Sequence, residues 1–170
     1  MAVNLSLSQL YQGNFVEEVR KVLRETGMAP ACLQLEITES MTSEWAQIMP
    51  VLTELRELGI TVAIDDFGTG YSSLSYLSDF PFDCLKIDRS FVSKIGITDK
   101  GEAIVTTILA MAKHLNVKIV AEGIETIEQF TYLEDAGCDQ IQGYYVSRPL
   151  PIQGLIDSYE AILTRVYSPV

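Results

Sequence analysis

A short apolar run rich in β-forming residues, followed by a stretch with helical periodicity, recurs about six times along the chain. The strand-like runs are Ala2–Leu7, Cys32–Thr38, Ile60–Phe67, Cys84–Asp88, Val117–Ile124 and Gln140–Val146. The amphipathic stretches between and after them are Asn14–Thr26, Ser43–Leu58, Gly101–Leu115, Thr126–Ala136 and Pro151–Val166. Helix N-caps are expected at Ser43, Asp99 and Thr126. This alternation predicts one α/β domain, residues 1–170, in which a parallel sheet is flanked by helices.

Polar side chains stand at or near the C-terminal end of nearly every predicted strand, although the strands are otherwise nearly continuous apolar runs, as expected when both sheet faces are buried. These residues are Asn4, Glu36, Asp65, Asp66, Lys86, Asp88, Glu122 and Gln142. In a closed parallel barrel these ends meet at one mouth, where active sites lie. In an open, doubly wound sheet they would be strung along a line, and only a few could cooperate. The pattern therefore favours a TIM-type (β/α) barrel.

The number of carboxylates in this set indicates a metal site. Acids gathered at one apolar mouth would repel one another unless cations neutralised them. Oxygen ligands without His or Cys favour Mg²⁺ or Mn²⁺ over zinc. The adjacent Asp65 and Asp66 could serve two such ions, which would clamp the attacking and leaving oxygens of a phosphodiester. For any single acid the simpler interpretation is a helix cap or an ion pair, but the whole set favours metal binding.

The glycines after the third strand suggest an alternative, a dinucleotide-binding turn. Gly68 and Gly70 follow a strand, and Asp88 lies about 20 residues beyond, as in that fingerprint. However, Ser73 stands at the third glycine position, and a pyrophosphate beside two aspartates would need metal in order to bind. We reject this interpretation, and the glycines instead predict a mobile loop beside a metal site.

Composition excludes several classes of function. Twelve basic residues against 23 acidic ones give a net charge of −11, which would repel a nucleic-acid polymer. Three scattered cysteines without a CxxC pair indicate reduced thiols and a cytoplasmic protein. No segment is typical of a membrane span or a signal peptide, so no membrane contact is expected. The single histidine, His114, lies on a predicted helix, which argues against Ser/His/Asp or Cys/His catalysis.

A series of motifs resembles the EAL-domain family of cyclic di-GMP phosphodiesterases, collinearly and over essentially the whole chain. The matching segments are 3–6 (VNLS), 35–40 (LEITES), 65–74 (DDFGTGYSSL), 86–92 (KIDRSFV), 121–126 (AEGIET), 142–144 (QGY) and 147–150 (SRPL). The resemblance implies a (β/α) barrel that hydrolyses one phosphodiester of cyclic di-GMP to give linear pGpG. It also implies a cytoplasmic signalling protein that forms a homodimer or a larger homo-oligomer.

The resemblance assigns roles to individual residues. Asn4, Glu36 and Asp65 would bind one divalent ion, and Asp65, Asp66 and Glu122 would surround a second. Lys86 would hold or activate the nucleophilic water, and Asp88 and Gln142 would support that water and the substrate. Glu39 would pin the loop at residues 66–74, which contains Gly68 and Gly70 and in the family couples metal binding, substrate binding and dimerisation. Pro149 belongs to the candidate substrate-binding residues.

One departure qualifies the resemblance. The Glu-Ala-Leu signature, which supplies a further metal ligand in the family, does not occur in this chain. About six strand–helix units are present where a closed barrel has eight. The chain is therefore expected to lack the first two units, as a shortened gene product, an excised segment or a fragment completed by another chain. The alternative function is a catalytically inactive module for cyclic di-GMP binding or dimerisation.

The incomplete barrel also predicts association. A sheet of about six strands taken from an eight-stranded barrel cannot close at the same tilt and stagger. The first and last predicted strands would expose unpaired edges, which invite pairing with another chain. We therefore expect a dimer or larger assembly that covers at least one of these edges.

Overall fold

The computed structural model describes residues 1–70, Leu77 and residues 80–167, and it contains one parallel sheet. The strands, in spatial as well as chain order, are β1 (Ala2–Asn4), β2 (Gln34–Thr38), β3 (Thr61–Phe67), β4 (Cys84–Ile87), β5 (Lys118–Glu122) and β6 (Gln140–Gln142). Each strand pairs with the next strand in the sequence, without the reversal of order that marks a doubly wound sheet. The curled six-stranded sheet is thus an incomplete TIM-type barrel, as the strand-end pattern predicted.

Seven α-helices accompany the strands in the described part of the chain. They are α1 (Leu7–Leu10), α2 (Phe15–Thr26), α3 (Trp45–Glu57), α4 (Arg89–Val92), α5 (Asp99–Leu115), α6 (Ile127–Asp135) and α7 (Ile152–Tyr167), with short 3₁₀ helices at Pro30–Cys32 and Glu39–Glu44. The five predicted amphipathic stretches correspond to α2, α3, α5, α6 and α7. No helix among the described residues is long and apolar enough to cross a membrane.

The two faces of the sheet differ in chemistry, which corrects the expectation of strands buried in apolar surroundings on both sides. Successive strand residues point to opposite faces. On one face, Leu35, Ile37, Val62, Ile64, Leu85 and Ile87 are almost fully buried and form the main core with the helices. The other face carries Glu36, Asp65, Lys86 and Glu122, with a separate small apolar cluster of Ala63, Cys84 and Val120. The strands alternate because their second face is the polar interior of the barrel.

Two predicted helix starts are wrong by one position. Thr98, not Asp99, is the N-cap of α5, and its side chain accepts a hydrogen bond from the backbone N–H of Gly101 at 3.1 Å. Glu44, not Ser43, precedes the first residue of α3, because a 3₁₀ helix occupies Glu39–Glu44. The cap predicted at Thr126 is correct, and this residue forms a capping box with Gln129.

The outer strands are shorter than predicted because the backbone turns away early at both edges. After β1, the N–H of Leu5 still donates to the carbonyl of Glu36, and α1 then begins at Leu7. After β6, Gly143 comes so close to Ile124 that a Cβ at position 143 would lie 2.1 Å from the Ile124 carbonyl oxygen. Both edge strands are therefore three residues long and largely exposed.

Candidate active site

Lys86 is the centre of the polar face. It lies on β4 with only 6% of its surface exposed, and its ammonium group contacts carboxylates from three other strands. Its Nζ lies 2.7 Å from Glu122 Oε1, 2.9 Å from Glu36 Oε1 and 3.0 Å from Asp65 Oδ1. Glu36 is also buried, and Asp65 and Glu122 are half-buried. Groups separated by up to 86 positions in the chain are therefore joined by one side chain, since Glu36 lies on β2 and Glu122 on β5.

Burial and charge act in opposite directions on these groups. Burial alone would lower the pKa of Lys86, but its hydrogen bonds to Glu122, Glu36 and Asp65 outweigh that effect and hold its pKa above the ordinary value. Burial raises the pKa of Glu122, and the neighbouring Asp65 and Glu36 add to the rise, while Lys86 opposes it. Lys86 is thus a permanent ammonium group at neutral pH.

Asp65 and Asp66 reach the same cluster although they are consecutive residues of a strand. The pairing of β3 with β4 shifts between Ile64 and Phe67, so β3 contains one extra residue at this point. Asp66 adopts a left-handed conformation, with φ of 54°, and its N–H donates to Asp65 Oδ1 at 3.0 Å. The bulge therefore turns the second aspartate back towards the first.

The carboxylates of Asp65, Asp66 and Glu122 form a donor set suited to a hard divalent cation. One oxygen from each residue lies within 4.8 Å of the other two. Burial and the negative charges of Asp65 and Asp88 raise the pKa of Asp66. Oxygen donors at this spacing match what Mg²⁺, Mn²⁺ or Ca²⁺ requires, so the residues present fit such an ion.

Glu39 holds the glycine-containing turn after β3. This glutamate is buried, and its Oε2 accepts hydrogen bonds from the backbone N–H groups of Gly68 at 2.7 Å and Gly70 at 3.1 Å. Gly68 has a φ of 93°, and a Cβ there would lie 2.7 Å from the ring of Phe91, so only glycine fits this position. Of the loop predicted at residues 66–74, the last four residues lie outside the described part of the chain.

The remaining predicted residues surround the cluster without joining it. Asp88 is the N-cap of α4, where its Oδ1 accepts a hydrogen bond from the Ser90 N–H at 3.0 Å. Asn4 on β1 pairs with Glu36 in the strand register, and Gln142 on β6 pairs with Glu122, and both side chains are exposed at the sheet edges. Asp88 therefore fits the simpler interpretation of a single acid, that of a helix cap. Its negative charge nevertheless contributes to the raised pKa of Asp66.

A cavity of about 500 Å³ adjoins the acidic cluster and contains residues that the sequence analysis did not single out. Glu122, Gln142 and Pro149 line it together with Arg89, Tyr144 and Arg148. The guanidinium carbon of Arg148 lies 4.5 Å from the centre of the Tyr144 ring, a cation–π contact. Arg148 directly precedes Pro149 in the SRPL motif, and this position is the sequence signal that points to Arg148 as a site residue. A ligand held by the acids would meet positive charge and an aromatic ring beside them.

Comparison with known proteins agrees with this architecture. The family model described as "EAL domain" matches residues 1–149. The cyclic di-GMP phosphodiesterase NbdA of Pseudomonas aeruginosa is 46% identical over 156 residues, which are 91% of this chain and 20% of that protein. The chain thus spans about one fifth of the length of this curated relative.

Two solved structures have the same fold. The PaMucR phosphodiesterase, in a complex with c-di-GMP, has a TM-score of 0.85 at 41% identity, over 91% of this chain and 63% of that one. BlrP1 of Klebsiella pneumoniae, in a complex with manganese and cyclic di-GMP, has a TM-score of 0.82 at 37% identity, over 87% of this chain and 38% of that one.

Proposed function

Because the chain belongs to the EAL domain family, we propose that it is the site-bearing part of a cyclic di-GMP phosphodiesterase that yields linear pGpG. The observation that carries this proposal is the convergence of Glu36, Asp65 and Glu122 on Lys86, next to the Asp65–Asp66–Glu122 donor set. Supporting it are relatives and solved neighbours whose names give phosphodiesterase activity and cyclic di-GMP complexes. The proposal treats residues 1–170 as one EAL-type domain with six of the eight barrel units.

In this proposal the acids hold Mg²⁺ or Mn²⁺ as a pair of ions. Asn4, Glu36 and Asp65 would hold one ion, and Asp65, Asp66 and Glu122 would surround the other, so that Asp65 would belong to both sets. When bound, such ions would supply Lewis acidity at the scissile phosphodiester. Manganese in the related BlrP1 complex supports a divalent requirement.

The other side chains of the site orient water and substrate. Lys86 would hold or activate the attacking water. Asp88 and Gln142 position that water and the scissile phosphate. Glu39 keeps the turn of Gly68 and Gly70 beside the aspartates, and Pro149 forms part of the wall against which the nucleotide lies. The physiological form in this proposal is a homodimer or larger homo-oligomer.

Turnover by the 170-residue chain itself tests the proposal. Cyclic di-GMP is incubated with the chain and MnCl₂ or MgCl₂, and pGpG is followed by chromatography, with EDTA as the control. Metal-dependent release of pGpG is the expected result. Saturable binding of cyclic di-GMP without turnover would instead support the alternative, an inactive binding or dimerisation module. Neither binding nor turnover would reject both functions for this chain.

A further inference from the structure

Lys86 makes more ionic contacts than the orientation of one water requires. Three carboxylates share its ammonium group, each at 3.0 Å or less, and the lysine is almost fully buried. Two of them, Asp65 and Glu122, also belong to the donor set suited to a cation. A carboxylate oxygen that faces an ammonium group this closely presents less negative charge to any other cation.

Among the described residues, Lys86 is the basic side chain that pairs with these three carboxylates. Arg89 and Arg148 line the cavity beside Glu122 but form no ion pair with it. Arg56 binds Asp83 at the opposite end of the strands, where Asp83 also accepts a hydrogen bond from the Val62 N–H. Lys118, on the same face as Lys86 at the N-terminal end of β5, is exposed. In the described part of the chain, Lys86 is therefore the cation that contacts this acidic group.

We propose that Lys86 is the internal counterion of the acidic site and competes with divalent cations for Glu36, Asp65 and Glu122. Without a metal ion, its ammonium group keeps the three carboxylates together against their mutual repulsion. A divalent cation that engages Asp65 and Glu122 displaces this contact, and the released ammonium group becomes available to water or phosphate. This inference rests on the metal site of the proposed function and adds an order of events to it.

Competition makes a prediction opposite to that of a lysine that only assists catalysis. Lys86→Met keeps an unbranched chain of similar length and removes the charge. Without divalent cations, the variant should unfold at a lower temperature than the wild type, because three close carboxylates then lack their counterion. The rise of the unfolding temperature with Mn²⁺ concentration gives the dissociation constant for Mn²⁺, which we call the Mn²⁺ midpoint. This midpoint should fall by about tenfold, since the cation no longer competes with an ammonium group.

The measurement is the thermal unfolding of the full 170-residue chain in a titration with MnCl₂, which needs no substrate. Lys118→Met is the matched control, because it removes the same charge from the same sheet face outside the cluster. We expect its Mn²⁺ midpoint to stay within about twofold of the wild type, since Lys118 is exposed at the other end of β5 from Glu122 and its charge is screened by solvent and salt. Equal shifts of the Mn²⁺ midpoint in both variants would mean that the change in net charge alone explains the effect, and would overturn the proposal.

A second variant covers the case in which Lys86→Met does not fold. Lys86→Arg keeps the charge and can bind two carboxylates at once, so we expect its Mn²⁺ midpoint to be equal to or higher than that of the wild type. A lower midpoint in Lys86→Arg, or an unchanged or higher one in folded Lys86→Met, would overturn the counterion role while leaving the phosphodiesterase proposal in place. A wild-type chain that does not respond to Mn²⁺ would remove the metal site and both proposals.

Discussion

Asp65 and Asp66 illustrate how much a single extra residue changes at the residue scale. In a regular strand, neighbours point to opposite faces, and one of the two aspartates would have faced the apolar core. The bulge and the left-handed conformation of Asp66 bring both carboxylates to the polar face. The close spacing of the Asp65, Asp66 and Glu122 carboxylates depends on this local irregularity, which the sequence pattern alone does not reveal.

Asp65→Asn tests the two-ion proposal most directly. Asp65 belongs to both proposed ligand sets, so loss of its charge should reduce Mn²⁺-dependent hydrolysis of cyclic di-GMP by at least about a hundredfold. The rate of pGpG release measures the effect. Asp135→Asn, an exposed aspartate at the end of α6, is the control and should retain wild-type turnover. Near-normal turnover in Asp65→Asn would contradict a bridging role.

The three cysteines should differ in reactivity. All three are free thiols, Cys32 exposed, Cys138 half-buried and Cys84 buried. Burial raises the pKa of Cys84 to about 11 and also raises that of Cys138, so at pH 8 only about one Cys84 in a thousand is a thiolate. Iodoacetamide at pH 8 should therefore alkylate Cys32 first, as mass spectrometry of the peptides would show.

Unfolding is the control for this experiment. In guanidinium chloride the burial of Cys84 and Cys138 is lost, and the three thiols should react at similar rates. Rapid alkylation of Cys84 in the folded chain would mean that the inner face opens to solvent more often than its burial indicates.

At the scale of elements, the predictions from the sequence were best where the pattern is long and periodic. All five predicted helices begin and end within two residues of the predicted stretches, namely α2, α3, α5, α6 and α7. The cap of α5 was misplaced because Thr98 and Asp99 are both good capping residues, and only the backbone decides between them. Thr98 is extended, with ψ of 134°, whereas Asp99 is the first helical residue.

This difference can be measured by comparing two adjacent substitutions. Thr98→Ala removes the hydrogen bond to the Gly101 N–H and should lower the free energy of unfolding by about 1 kcal/mol. Asp99→Ala removes only a favourable charge in the first turn, which is worth about 0.3–1 kcal/mol and is screened by salt. Urea unfolding at 0.5 M NaCl should therefore separate the two variants. A larger loss in Asp99→Ala would restore the cap predicted from the sequence.

For the whole molecule, the parallel sheet and the strand-end cluster could be predicted because β/α alternation and polar strand ends are both visible in the chain. The alternation within strands such as β4 (CLKI) is hard to recognise in the sequence, because Cys84 is apolar and Lys86 is the one charged residue of the strand. Their common face became clear only from the register, which aligns Cys84 with Ala63 and with Lys118. The ion pairs of Lys86 join four strands and depend on side-chain geometry that no local pattern encodes.

Association of this chain through the exposed edges of β1 and β6 stays a prediction. Both strands end the sheet and are largely exposed, with Val3 40% accessible. We expect a dimer or larger assembly in light scattering at micromolar concentration, with slow amide exchange in at least one of these strands. A monomer in which both strands exchange slowly would show that the sheet protects its own edges.

The alternation of apolar and polar residues along each strand also has an evolutionary consequence. Leu35 and Ile37, which pack in the core, are neighbours in the chain of Glu36, which belongs to the proposed site, but they lie on the opposite face. Exposed interior positions such as Asn4 and Gln142 can therefore change with little effect on the packed helices. If the chain has the proposed phosphodiesterase activity, a descendant could lose hydrolysis by one such replacement, keep its shape, and persist as a receptor for the same nucleotide.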